Sequence, residues 1–218
     1  MTRPRVVETN QGIQGSFNVA AYDQMQRRLR DRGWIETNEL IKFGITQGCA
    51  LEVGPGPGYL GLEWLKRTPG TTLKGLDISP DMIALAERNA RAYGLADRVE
   101  YVHSGGDQMP FDNDIFDAVF TNGSLHEWAE PQKTFNEIWR VLKPGGRVLV
   151  SDLRRDMFAL VRWFLWNNIE PREMRPGFTT SLKAAYTPDE LEGLIKGTKL
   201  EQCQVSGNPV GLMLTGVK

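Results

Sequence analysis

One octapeptide constrains this chain more than any other stretch: Leu51-Glu52-Val53-Gly54-Pro55-Gly56-Pro57-Gly58. A short apolar run from Cys49 ends in three glycines at alternate positions. A helical pattern from Gly58 to Arg67, with Leu60 and Trp64 on one face, starts at once after them. Glycine lets a backbone turn sharply and lets a ligand lie directly on it. A glycine turn between a strand and a helix is the place where a doubly wound sheet binds ligands, beyond the carboxyl ends of its strands.

The rest of the chain agrees with such a sheet. Leu73–Ile78, Arg98–His103, Ile115–Thr121 and Arg147–Ser151 read as strands. Between them lie helical patterns, one opened by Ser79-Pro80-Asp81 with Ile83, Ala86, Ala90 and Tyr93 on its inner face, another over Pro131–Leu142. Strands alternating with helices mean βαβ units and a parallel sheet. Two helices are predicted before the sheet, over Asn18–Arg32 and Glu36–Phe43, each stopped by a glycine. After Asp152 the pattern changes. Asp156–Ile169 reads as a helix rich in aromatic residues, followed by an irregular piece containing Pro171, Pro176 and Gly177. A helix capped by Thr187 and two strands, Leu200–Val205 and Val210–Val217, complete the chain as an antiparallel hairpin. Trp34 and Trp139 are expected in the core.

Charge narrows the function. The 218 residues carry 26 Lys+Arg against 27 Asp+Glu, so no basic stripe marks a nucleic-acid binder. No apolar run is long enough to span a bilayer, and Met-Thr-Arg-Pro-Arg is no signal peptide, which points to a cytoplasmic protein. Two cysteines and two histidines make neither a disulfide framework nor a structural metal site. Asp97–Glu130, however, holds eight acids and one base. That stretch is a solvated surface or the lining of a site for a cation.

A dinucleotide loop has the spacing Gly-x-Gly-x-x-Gly and sets a pyrophosphate on a helix N-terminus. Here the spacing is Gly-x-Gly-x-Gly, with Glu52 two residues ahead, poorly placed beside a pyrophosphate and well placed beside a cation. Asp77, at the end of the second strand, can accept both hydroxyls of a ribose, and Ile78 can lie against an adenine face.

In combination, four stretches resemble the class I S-adenosylmethionine (SAM)-dependent methyltransferases, in their small-molecule, UbiE-like branch. They are Leu51–Gly58, Leu76–Met82, Met109-Pro110-Phe111 running into Phe116-Asp117-Ala118-Val119, and Arg140–Gly146. Ser124-Leu125-His126-Glu127-Trp128 looks like the Ser-x-His-His-Trp stretch of that branch, with Glu127 in place of its second histidine. The similarity covers about 22–152. It implies an α/β, Rossmann-like three-layer sandwich with a mostly parallel seven-stranded sheet and an antiparallel C-terminal hairpin. It also implies SAM as cofactor, S-adenosylhomocysteine as product, and no metal.

The resemblance assigns roles. Gly54, Gly56 and Gly58 would pass under the cofactor's methionine and ribose portions, and Glu52 would lie near its ammonium. Asp77 would bind the ribose hydroxyls, and the Gly106–Gln108 turn the adenine edge. Asn122 would flank the methionine moiety, and Tyr22 would close over the cofactor. The family's usual Asp or Ser at the end of the third strand is Gly105 here, so the contact to the adenine amino group comes from Asp107 or is missing. His126 is the first candidate base for the acceptor, and Glu127 the second.

The expected organisation is one methyltransferase domain: N-terminal helices over 1–46, a cofactor-binding core over 47–152, a helical lid insertion over 153–186, and a C-terminal helix and hairpin over 187–218. Phe158, Trp163, Phe164, Trp166 and Phe178 are candidates for an aromatic wall of the acceptor pocket, with Arg154, Arg155 and Arg175 as partners for an anionic group. Packing or a dimer surface is the other use of those aromatic residues, so monomer and homodimer stay open. The leading activity is methyl transfer to a small-molecule acceptor. Its competitors are a protein or nucleic-acid methyltransferase and a SAM-binding subunit without activity. Thr121-Asn122-Gly123-Ser124 lacks the Asn/Asp-Pro-Pro-aromatic pattern that holds a flipped base. A nicotinamide dehydrogenase is disfavoured by the glycine spacing and Glu52.

Overall fold

The computed structural model describes residues 4–7 and 15–218; Met1–Arg3, read above for a leader, lie outside the described residues. Strand and helix alternate as the sequence predicts. The strands are β1 (Cys49–Val53), β2 (Thr72–Asp77), β3 (Val99–His103), β4 (Phe116–Asn122), β5 (Leu142–Leu153), β6 (Gln204–Gly207) and β7 (Gly211–Val217). They form one sheet in the order β3-β2-β1-β4-β5-β7-β6. The first five pair in parallel, and β7 runs antiparallel to both β5 and β6. The order reverses between β1 and β4. That is the switch point at which an open α/β sheet leaves a crevice beyond its strand ends.

The helices are α1 (Ser16–Asp31), α2 (Thr37–Lys42), α3 (Tyr59–Arg67), α4 (Pro80–Ala92), α5 (Pro131–Val141), α6 (Ala159–Asn168), α7 (Arg175–Ala184) and α8 (Pro188–Ile195). Residue parity along the strands decides which helix each side chain meets. Ala50, Leu73, Ala118, Phe120 and Leu149 pack with Leu40 of α2 and with Leu62, Trp64 and Leu65 of α3. Leu51, Val53, Val119, Val148, Val150 and Leu214 point the other way, onto Phe135 and Ile138 of α5 and Leu191 and Ile195 of α8. Two helix layers thus enclose the sheet. Each fully buried Leu or Phe contributes roughly 1.5–3 kcal/mol by leaving water.

Local signals hold where hydrogen bonds are short-range. Ser79 caps α4, its Oγ accepting from the Met82 amide at 3.3 Å. Thr187 and Glu190 close a reciprocal capping box on α8. Several expectations need correction. α7 occupies the piece read as irregular: Pro176 stands in the first turn, where a missing N–H is harmless. The buried face of α4 is Met82, Leu85, Ala86, Asn89 and Ala90, rotated from the predicted one. β6 begins at Gln204, four residues late, because Leu200 is buried under α8 in a turn. Trp34 is 47% exposed rather than core, while Trp139 packs half-buried against the core.

Candidate active site

The carboxyl ends of β1, β2 and β4 surround a cavity of about 340 Å³, within the range of small-molecule sites. Val53 and Gly54 come from β1 and its loop, Leu76, Asp77 and Ile78 from β2, and Gly105, Gly106 and Asp107 from the turn after β3. Gly123, Ser124 and Glu127 close it behind β4, and Tyr22 of α1 covers it. Four carboxylates, Asp77, Asp107, Glu127 and Glu130, line it, with no Lys, Arg or His among the described lining residues. Such a lining attracts a cation.

The glycine loop is shaped for close approach. Gly54 has φ +69°, and a Cβ there would meet the Ser124 Cβ at 2.7 Å. Gly56 has φ +52° and lies against the Tyr22 ring, 3.3 Å from where its Cβ would be. A side chain at Gly54 collides with the wall, and one at Gly56 crowds the Tyr22 ring in a left-handed backbone conformation that favours glycine. Asp77 ties this loop to β2. Its Oδ2 accepts from the Gly56 amide at 3.1 Å and its Oδ1 from the Ser79 amide at 2.9 Å. Burial raises its pKa above the ordinary carboxylate value, and the amides of Ser79, Gly56 and Ile78 pull the other way. The Tyr22 hydroxyl accepts from Gln26 Nε2 at 3.0 Å. Burial, then the nearby Glu127 carboxylate, pushes that phenol up and keeps it protonated.

Of the residues singled out in the sequence, Tyr22, Gly54, Gly56, Asp77, Ile78, Gly106, Asp107 and Glu127 line the cavity together. Gly58, Gln108, Asn122, Glu52 and His126 do not. Gly58 is the left-handed N-cap of α3, and Asn122 donates to Ser151 Oγ at 3.0 Å. Glu52 shares the parity of Ala50, so its carboxylate enters the α3 side of the sheet. It is 2% exposed, against Gly61, where any Cβ would lie 2.3 Å from Oε2. Strand parity, counted from Ala50 and Leu51, would have revealed this orientation.

Burial pushes the Glu52 pKa up to about 8, with only partial offset from the Gly61 amide and a further rise from Asp77. The folded protein therefore holds a proton that the unfolded chain gives up near pH 4–5. That contribution to stability is full below the unfolded pKa and is lost as pH rises towards 8. Glu52→Gln should flatten the fall in Tm between pH 5 and 9, with a gain on the order of a few kcal/mol at the alkaline end. Parallel melting curves in wild type and variant would contradict the assignment.

His126 sits in the 3₁₀ turn Leu125–Glu127, behind the rim and 4% exposed. Its Nδ1 lies 2.9 Å from both carboxylate oxygens of Asp152, and its backbone amide donates to Asp152 Oδ2 at 2.8 Å. Asp152, at the end of β5, also accepts from the Leu153 amide at 2.7 Å. The His126 Nε2 lies 3.9 Å from Glu127 Oε1. Asp152 escaped notice in the sequence because it stands 26 residues from His126 and only the β4–β5 pairing joins them.

The aromatic wall is not at this cavity. None of Phe158, Trp163, Phe164, Trp166 and Phe178 lines the cavity. Arg154 pairs with Asp156, Arg155 with Glu190, and Arg175 stacks on Trp166 at 4.2 Å, so these cations have partners within the chain. Among the described residues, no group of His, Cys, Asp and Glu is arranged for a metal ion, and no helix is long and apolar enough to cross a membrane.

The residues present fit SAM: a side-chain-free floor, an aspartate held at the end of β2, and a carboxylate lining for a sulfonium and an ammonium. Comparison with known proteins agrees. The methyltransferase domain family matches residues 51–150. The ubiquinone/menaquinone biosynthesis C-methyltransferase UbiE of Geotalea daltonii is 30% identical over 165 residues, 72% of this chain and 70% of that protein. A demethylmenaquinone methyltransferase of Thermus thermophilus is 37% identical over 102 residues, which span 47% of this chain and only 46% of the relative. The crystal structure of a SAM-dependent methyltransferase from Aquifex aeolicus superposes with a TM-score of 0.65 at 19% identity, covering 84% of this chain and 89% of that one. Kinship in sequence over most of the Geotalea protein, on a shared fold, places this chain in the class I S-adenosylmethionine-dependent methyltransferases.

Proposed function

We propose that this methyltransferase acts on a small molecule rather than on nucleic acid or protein. The observation that carries the reading is the charge of the cavity wall: four carboxylates and no cation among the described residues. A nucleic-acid acceptor brings phosphates that need Lys and Arg nearby. A small acceptor without several negative charges meets no such repulsion. The named activities of the Geotalea and Thermus relatives, in quinone biosynthesis, make demethylmenaquinone the first acceptor to test.

SAM supplies an activated methyl group for in-line displacement, so the chain's own work is binding, orientation and proton handling. Asp77 holds the ribose, and the glycine loop and Tyr22 bracket the cofactor. Asp107, at the turn after β3, is the carboxylate available to the adenine amino group. Glu127 faces the cavity and receives the acceptor's proton. Asp152 accepts the Nδ1 proton of His126, which leaves Nε2 as an acceptor 3.9 Å from Glu127 Oε1, placed to accept a hydrogen bond from Glu127 once that carboxylate has taken up the acceptor's proton. His126, the first candidate from sequence, thereby becomes a positioning residue. Calorimetry with SAM, S-adenosylhomocysteine and NAD tests the cofactor half: micromolar binding of the first two and none of NAD is expected. Radiolabelled methyl from SAM, offered to demethylmenaquinone, RNA and bulk protein, tests the acceptor half. Label in RNA or protein alone would overturn the small-molecule reading.

A further inference from the structure

We propose that α6 is a docking surface for the headgroup region of an anionic lipid bilayer. The helix reads Ala-Leu-Val-Arg-Trp-Phe-Leu-Trp-Asn-Asn and buries none of its residues fully. A helix that is apolar on every side needs cover on every side. Val161 and Leu165 are half-covered by the protein. On the outer side, Phe158 just before the helix is 76% exposed, Leu160 75%, Trp163 63% and Phe164 49%. Bulky aromatic residues grouped in this way suit the boundary between headgroups and acyl chains, where tryptophan is at home.

Charge selects the occupant. Arg162 is the single charged residue of α6. It, Arg172 and Lys183 make no ion pair among the described residues, whereas Glu170 is neutralised by Arg28. Glu173 is the one acid between Phe158 and Ala184 left without a cation. A second copy of the chain, packed through α6 about a two-fold axis, would bring each Arg162 towards its own mate with no acid on the helix to answer it. An anionic lipid surface supplies the opposite charge that Arg162, beside the exposed aromatic residues, lacks. The helix follows β5 and so stands at the same end of the sheet as the cavity. The surface is independent of the acceptor's identity.

Co-sedimentation of the full chain with vesicles tests this without SAM or acceptor. Binding is expected to an equimolar mixture of phosphatidylcholine and phosphatidylglycerol, and much less to phosphatidylcholine alone. Trp163→Ser should weaken it about tenfold or more, and Arg162→Gln about fivefold. Both side chains are exposed, so circular dichroism and SAM affinity should not change. Failure to sediment with the mixed vesicles, or binding untouched by Trp163→Ser, overturns the proposal. So does a dimer in analytical ultracentrifugation that Trp163→Ser converts to monomer, which would assign the face to a second copy. None of these outcomes bears on methyl transfer itself, so the two readings fail separately.

Discussion

Replacing Asp77 with alanine should weaken SAM binding by about 10- to 100-fold, the scale of leaving charged hydrogen-bonding partners unmet. Asp77 acts on both sides of the interface. Towards the protein it accepts from the Gly56 and Ser79 amides, fixing the glycine loop against β2. Towards the cavity it is one of the lining carboxylates and the group proposed above to hold the ribose. The alanine variant loses both, so the loss should exceed that of Asp77→Asn, which keeps one oxygen for the loop. Acidification should mimic the substitution. Burial raises the Asp77 pKa, so the carboxylate is neutralised at a higher pH than an exposed aspartate. SAM affinity should accordingly fall as pH drops through that range, and the alanine variant should lose this dependence. Titration calorimetry measures both. An unchanged affinity would remove Asp77 from the site.

Asp152→Asn should lower methyl transfer by roughly 10²- to 10⁴-fold, the range of proton-transfer assistance, with SAM affinity nearly intact. The carboxylate accepts from three N–H groups: the His126 amide, His126 Nδ1 and the Leu153 amide. An asparagine has one oxygen, which the backbone amides would claim. Its NH₂ would then face Nδ1, force that nitrogen to accept, and move the imidazole proton to Nε2, where it blocks the role proposed beside Glu127. The chain holds two histidines, so the ¹⁵N shifts of His126 can be assigned against His103 alone and report the tautomer directly. Asp152→Ala should do something different. It leaves three buried donors unpaired and should destabilise the fold by about 3–5 kcal/mol. A tautomer change without a rate change would show that the acceptor needs no proton removed, and would end the proton role of this pair.

The parts of the site visible in the sequence are those made by neighbours in the chain. The glycine loop, Asp77 with Ile78, and the Ser79 and Thr187 caps need contacts over a few residues, and in the structure they lie at the predicted strand ends and helix starts. What misled was residue type read without geometry. Pro176 and Gly177 looked like helix breakers, yet a proline in the first turn of α7 breaks nothing. Glu52 was assigned by its distance along the chain from Gly54, whereas strand parity turns it to the opposite face. Arg154 and Arg155 looked available for a ligand until Asp156 and Glu190 were found beside them. The aromatic run after β5 reads as a pocket wall, packing or a dimer surface, and the structure leaves Phe158, Trp163, Phe164 and Trp166 exposed on the chain.

By itself, the sequence determined the alternation of strand and helix and the switch point at the glycine loop. Periodicity and local hydrogen bonding are properties of adjacent residues, so they are written in the chain. Only the tertiary structure decided which side of the sheet each carboxylate enters and which charges are already paired. It alone joined Asp152 to His126 across the β4–β5 pairing. Those outcomes depend on contacts between residues far apart in sequence, and such contacts exist only after the sheet has assembled.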